Sequence, residues 1–301
     1  MLDGIAGGGK TTIANIIAKE LNFVTHKEFI EERAKQNKNP KNREYPERML
    51  IHCGITTNFT DLLVELFQLY KPTRGIIPHR IFFIDEVHAL PKAKLDMLLT
   101  VIENQKLIMS INGVNKIKDL PYSTWIIATT NPEKINAPFK NRFRHHITFY
   151  PYDQEEMEQI ASKNLQKLNL TLDSDSISML AKISRQTPRT LNGNILNLLD
   201  YTSLINSTNL TYSTFSDFLR YVGIDQHGLS ERDRMVIKSL GECSTTSALP
   251  LRTLATVTGI DEETLTSEIE PYLMRTGVIQ VTTRGRMLTQ HGDELYKELE
   301  T

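Results

Sequence analysis

The run Gly4-Ile5-Ala6-Gly7-Gly8-Gly9-Lys10-Thr11 constrains this chain more than any other part of it. It satisfies the pattern GxxxxGK[ST] and leads directly into residues 10–21, where Ile13, Ile16, Ile17 and Leu21 recur at helical spacing. The glycines let backbone N–H groups curl around phosphate oxygens with no Cβ in the way. Lys10 brings a positive charge to the β- and γ-phosphates, and Thr11 offers a hydroxyl to Mg²⁺. The helix start adds its own positive end. At ordinary glycine usage, a chance match in a chain of this size is on the order of one in a hundred. The fold implied is α/β, with a phosphate loop that opens a helix.

Two further runs complete a site. Ile81-Phe82-Phe83-Ile84-Asp85-Glu86 is a buried strand that ends in two carboxylates. Parallel α/β sheets gather ligands at such carboxyl ends. Asp85 is expected to hold Mg²⁺ through water, and Glu86 to polarise an attacking water. In Ile126-Ile127-Ala128-Thr129-Thr130-Asn131-Pro132 a second buried strand ends in small polar groups. There Thr130 or Asn131 is placed to hydrogen-bond that water or the γ-phosphate.

Composition limits the remaining classes. The 301 residues carry a net charge of −1, with 24% charged and 40% hydrophobic residues. That is globular composition, and the length suits two or three domains. No apolar run approaches the ~18 residues of a membrane span, and no basic-then-apolar leader opens the sequence. Cys53 and Cys243 form no CxxC pair, which fits a reducing cytosol. The histidines form no HxxxH or HExxH set, so no metal beyond Mg²⁺ is expected.

Texture along the chain gives three expected domains: 1–150, 151–224 and 225–301. The first alternates helical and strand patterns. It contains a polar, basic stretch at about 25–48, read as a solvated insertion. A strand is expected at 49–53, an amphipathic helix at 59–67 and a hairpin at 107–118 turning at Asn112-Gly113. The second domain is expected to be helical. The third shows helical patterns at 231–240, 250–257 and 262–274, then two short strands around a turn at 284–286. That order suggests a winged helix.

Taken in order, these motifs resemble an AAA+ ATPase. The C-terminal half narrows the likeness to the RuvB family, motors of Holliday-junction branch migration. The matching stretches are Gly9–Ala18, Phe83–His88, Ala128-Thr129-Thr130, Asn141-Arg142-Phe143, Thr187-Pro188-Arg189, Val222–Asp225, Glu270-Pro271-Tyr272-Leu273 and Arg284-Gly285-Arg286. The resemblance implies ATP and Mg²⁺ as cofactors. It makes Gly4, Gly7, Gly8, Gly9, Lys10, Thr11 and Thr12 the nucleotide loop, with Thr11 and Asp85 at the metal. Glu86, Thr130 and Asn131 become catalytic, Arg142 an arginine finger acting on a neighbouring subunit, and Arg189 a nucleotide sensor on the helical lid. Arg284 and Arg286, at the wing tip, would meet the DNA backbone. The partners implied are duplex or four-way-junction DNA, a RuvA-like junction-binding protein docking on the hairpin, and further copies in a ring, six by resemblance.

The sequence also departs from that family. Only three residues precede Gly4, so the first strand is expected to be short or missing. The hairpin is shorter than usual, and Lys140 stands where an arginine is frequent. Residues 229–301 hold eight Lys/Arg against twelve Asp/Glu, so DNA contact there needs a focused patch. Two other readings stay open on the sequence: a non-catalytic DNA-binding adaptor, and a clamp-loader- or helicase-loader-like AAA+ ATPase.

Overall fold

A computed structural model describes residues 1–35, 48–53, 79–111, 114–119, 123–225, 227–243 and 248–300. The helix expected at 59–67, the centre of the basic stretch at 36–47 and the turn at 112–113 lie outside the described residues. The chain forms two compact units, Met1–Pro151 and Tyr152–Thr301. Among the described residues, no helix is long and apolar enough to cross a membrane.

In chain order, the strands of the first unit are β1 (Leu2–Gly4), β2 (Val24–Thr25), β3 (Arg48–Cys53), β4 (His79–Ile84), β5 (Lys106–Ile111), β6 (Val114–Asp119), β7 (Ser123–Thr129) and β8 (Ile147–Phe149). Six of them make one sheet, in the order β2-β3-β4-β7-β1-β8, and every described pairing in it is parallel. Strand β4 is apolar throughout its centre because both of its faces are covered. Alternate residues serve opposite cores. Phe82 and Ile84 pack with Met49, Ile51, Ile127 and the helix residues Leu95, Leu98 and Val101. Ile81 and Phe83 pack with Leu50, Ile126 and with Ala14 and Ala18 of the helix Lys10–Glu20. The period-2 geometry of a strand accounts for this division.

Strand β1 is present, with three residues, and lies inside the sheet rather than at its edge. Leu2 and Asp3 pair with Ala128 and Thr129 of β7, and Leu2, Asp3 and Gly4 pair with residues 147–149 of β8. Pairing on both sides compensates for its length. The stretch read as an insertion begins inside the fold. Its first residues form the end of β2 and the helix His26–Lys35. Strands β5 and β6 pair antiparallel as the expected hairpin, with Ile111 opposite Val114.

The second unit contains two hydrophobic cores. Four helices, Gln154–Lys167, Ser174–Ile183, Pro188–Ile205 and Tyr212–Tyr221, share the first, around Leu180, Leu191, Leu198, Phe215 and Phe218. The short strands β9 (Thr171–Leu172) and β10 (Asn209–Leu210) pair beside them. Asp153 opens the first helix with a capping box to Glu156, which satisfies donors the helix start leaves free.

The second core gathers Leu229, Val236, Ile237, Leu254, Leu265, Leu273, Val278 and Leu288. Around it lie Glu231–Glu242, Leu251–Thr258, a helix from Glu262 to Arg275, β11 (Ile279–Thr282), β12 (Gly285–Leu288) and Gln290–Glu300. Residues Leu265–Ile269 of the long helix form a π turn. Pro271 follows at once; it lacks an N–H and its ring crowds the preceding turn, and a widened turn accommodates both. The antiparallel pair β11–β12 is a wing. It begins earlier than the sequence indicates, since Gly285 and Arg286 are strand residues, and Arg286 also bridges Leu249. Gly285 has φ +141, and a Cβ there would sit 2.2 Å from the Leu249 carbonyl oxygen, so this position requires glycine.

Candidate active site

The phosphate loop connects β1 to the helix Lys10–Glu20. Gly4, Gly7 and Gly9 all have positive φ, at +127, +75 and +98. A Cβ at Gly4 would lie 2.1 Å from the Phe149 carbonyl oxygen, so a side chain there would push β8 away. Lys10 is buried, and its Nζ donates to the carbonyls of Gly4 at 2.9 Å and Ile5 at 2.8 Å. Its charge is therefore held within the loop. Thr12 is exposed on the first turn of the helix.

Strands β4 and β7 are adjacent, and β1 lies next to β7. Their carboxyl ends therefore bring the two polar termini to the loop. Thr11 Oγ1 donates to Asp85 Oδ2 at 3.0 Å. A hydroxyl and a carboxylate oxygen together are the donor types a small hard divalent cation takes, so the residues fit Mg²⁺. The loop amides, Lys10 and the helix start fit a polyphosphate.

Glu86 is turned away from that pair. It sits at φ 49, ψ 45, a left-handed conformation that costs an ordinary residue about 1–2 kcal/mol. The turn directs its carboxylate to β7, where Oε2 accepts from Thr130 N at 3.0 Å and from Thr130 Oγ1 at 2.9 Å. Strain of this kind is concentrated at functional sites.

One further side chain joins the group. His88, on the short 3-10 turn Val87–Ala89, places Nδ1 3.2 Å from Glu86 Oε2 and 3.0 Å from Thr129 Oγ1. Its Nε2 lies 3.2 Å from Asn131 Nδ2. No metal-binding spacing marks His88, because two of its partners, Thr129 and Asn131, come from a different strand end. Its position three residues after Asp85 is the sequence signal. His52, exposed on β3, has Nε2 3.0 Å from Asn15 Oδ1, and partial desolvation lowers its pKa while the charge of Asp85 opposes the shift.

Of the remaining sequence candidates, Arg142 belongs to the first unit, and Arg189, Arg284 and Arg286 belong to the second. Arg142 follows the short helix Ala137–Lys140, and buried Phe139 and Phe143 anchor its segment. Its exposed guanidinium pairs with Glu103 on the helix Lys92–Asn104. Arg189 is exposed on the first turn of Pro188–Ile205, in the second unit. Arg284 is exposed at the wing tip. Arg286 differs from the expectation. Its Nε and Nη2 form a two-pronged pair with Glu270 at 2.6 and 3.1 Å, and both side chains are nearly buried. A guanidinium committed to a buried carboxylate is not available to a phosphate. The strand start at Gly285, which the spacing alone does not reveal, turns Arg286 inward.

A parallel sheet with a phosphate loop after one interior strand and two carboxylates at the end of another defines a nucleotide-binding P-loop ATPase. Residues 1–151 match the model of the ATPase family associated with various cellular activities (AAA). Residues 226–297 match the RuvB C-terminal winged helix domain. The Holliday junction branch migration complex subunit RuvB of Kosmotoga olearia is 30% identical over 297 residues, covering 96% of this chain and 77% of that protein. The corresponding protein of Rhodopirellula baltica is 30% identical, covering 99% and 74%. The Thermotoga maritima RuvB Holliday junction branch migration motor superposes with a TM-score of 0.72 at 26% identity, covering 99% of this chain and 86% of that one. The chain belongs to the RuvB family.

Proposed function

We propose that this chain is an ATP-driven DNA motor that promotes branch migration of Holliday junctions. The observation that carries this reading is the convergence of Asp85 with Thr11 and of Glu86 with Thr130 beside the phosphate loop. An adaptor without catalysis has no need of a glutamate held in a left-handed turn. Mg²⁺-ATP, bound through residues 4–12 and Asp85, supplies the phosphoryl group whose transfer to water releases energy. Glu86 orients that water and draws its proton; Thr130 and Asn131 fix the strand end beside it. Arg142 acts on a neighbouring subunit and Arg189 senses the nucleotide, both by resemblance. The same likeness divides the chain into an ATPase domain to about residue 150, a helical lid to about 224 and a winged helix. It also proposes a ring of six, a RuvA-like partner on the β5–β6 hairpin, and action in the cytoplasm.

The test is ATP turnover with four-way junction DNA. Glu86→Gln keeps the size and the Thr130 contacts but removes the base. Turnover is expected to fall about 10²–10⁴-fold, the usual contribution of a general base, with nucleotide still bound. Wild-type turnover in this variant would reject the assignment.

DNA contact is assigned to Arg284. Replacing it with alanine is expected to weaken junction binding and to reduce the slope of log affinity against log salt by about 0.9, one phosphate contact. Arg286→Ala is expected to act through the wing, lowering its thermal stability. Equal salt slopes in the wild-type and Arg284→Ala chains would exclude the contact.

A further inference from the structure

His88 has no task in the mechanism above, yet the structure holds its ring from two sides. Its side chain is 15% exposed. Nδ1 faces Glu86 Oε2 at 3.2 Å and Thr129 Oγ1 at 3.0 Å, and Nε2 faces Asn131 Nδ2 at 3.2 Å. An ionised carboxylate oxygen only accepts, so Nδ1 carries the proton. An amide nitrogen only donates, so Nε2 is the acceptor. Thr129 Oγ1 in turn accepts from Asn131 N at 3.0 Å, which fixes the strand end. Glu86 Oε2 thus accepts two bonds from Thr130 and has His88 Nδ1 3.2 Å away, while the Nδ1 hydrogen bond itself is with Thr129 Oγ1; no described residue bonds Oε1. One oxygen is anchored and the other is presented.

We propose that His88 is a positioning residue for ATP hydrolysis: its ring, fixed by Thr129 and Asn131, sets Nδ1 against Oε2 of Glu86 and keeps that oxygen on β7, so that Oε1 meets the attacking water. Nε2 ties that orientation to Asn131, so the carboxylate and the polar end of β7 move together. The inference rests on the assignment of Glu86 to the water. A carboxylate free to rotate about its stem leaves the attacking geometry for much of the time, and displacements near 1 Å cost on the order of 10²-fold in rate.

Two measurements on the full chain test it. The first is ¹⁵N–¹H correlation of the histidine rings without nucleotide, with the His88 signal identified by its loss in the His88→Asn chain. The Nδ1–H tautomer is expected; the Nε2–H tautomer would overturn the proposal. The second compares two amides. His88→Asn places a donor near the position of Nδ1, whereas His88→Gln extends past it toward Asn131. The glutamine variant is expected to lose about 10–100-fold in kcat, the asparagine variant to recover most of that loss, and both to keep nucleotide affinity within about threefold. Equal kcat in the two variants would overturn the role. The Glu86→Gln chain, measured alongside, separates the two failures. If it turns over normally, the reading of Glu86 fails and this inference with it. If it is inactive while both His88 variants match wild type, the His88 inference alone fails.

Discussion

Replacing Arg142 with alanine is expected to lower ATP turnover by on the order of 10³-fold, while nucleotide affinity changes by no more than a few-fold. The size follows from what an arginine finger supplies: a planar cation that meets the charge developing on the transferring phosphoryl group. Within one chain Arg142 is paired with Glu103, and both side chains are partly exposed, at 46% and 33%. Such a pair is worth at most about 1 kcal/mol, so it parks the guanidinium without trapping it. Two results distinguish a finger from a surface ion pair. Glu103→Gln removes the parking partner and is expected to leave turnover at or above wild type. Mixing Arg142→Ala with Glu86→Gln is expected to restore part of the activity, because some interfaces then combine an intact Glu86 with an intact Arg142. If Arg142→Ala alone turns over like wild type, the Glu103 pair is the whole of its role. Loss of activity without recovery on mixing would place Arg142 in its own subunit's site.

How much of this site was legible depended on which contacts are local in sequence. The loop, its lysine and the carboxylates of Asp85 and Glu86 follow from spacing, because the chemistry and the turn that delivers it lie within a few residues. The strands β4 and β7 were legible because burial on both faces makes them continuously apolar. The hairpin β5–β6 followed from alternation around Asn112-Gly113. The left-handed turn at Glu86, by contrast, depends on β7 being the neighbouring strand. Nothing in residues 81–88 states that. The contacts of His88 are hidden for the same reason, as its partners Thr129 and Asn131 are more than forty residues away. The inward turn of Arg286 needed both the strand start at Gly285 and the position of Glu270 on another element. Three residues are too few for a strand on their own, and the pairing of β1 with both β7 and β8, which the sequence does not show, makes it one. The fourth helix, Tyr212–Tyr221, buries only a narrow stripe of Phe215, Phe218 and Leu219, so no run of aliphatic residues marks it in the sequence.

Replacing Asp233 with alanine is expected to destabilise the second unit by about 3–5 kcal/mol, the cost of leaving one partner of a buried ion pair uncompensated. Asp233 is fully buried, and its Oδ2 takes the guanidinium of Arg185 as well as the amide and hydroxyl of Ser230, at 2.8 and 2.6 Å. It serves at once as the capping-box acid of the helix Glu231–Glu242 and as the counter-ion of Arg185. Arg185 also lies over the Tyr272 ring, 4.4 Å from its centre, a cation–π contact on a half-desolvated face. Burial raises the Tyr272 phenol pKa, with the charge of Arg185 opposing the rise, so the ring stays neutral through physiological pH.

Arg185 and Gln186 both have positive φ, at 55 and 59, immediately before Thr187-Pro188-Arg189. Two consecutive left-handed residues persist only where surrounding contacts hold them. Arg275 Nη2 and Tyr152 N donate to the carbonyls of Arg185 and Gln186, and the Asp233 pair adds a hold on the Arg185 side chain that links the helix ending at Ile183 to the helix Glu231–Glu242. The melting temperature of the transition is therefore expected to fall by on the order of 10 °C in calorimetry of the full chain. Asp233→Asn keeps the volume but not the charge, and is expected to recover only the capping part of the loss. Arg185→Met, which removes the cation and keeps an apolar stem over Tyr272, is expected to cost at least as much as Asp233→Ala, because it leaves a fully buried carboxylate, whose Oδ1 has no hydrogen-bond partner, without its counter-ion. If Asp233→Ala and Arg185→Met prove equally mild, the cap alone holds the helix start and the ion pair contributes nothing to joining the two cores. If the full loss appears, the strained turn that presents Arg189 is fixed by a residue of the winged helix, and a shift in either core moves the other.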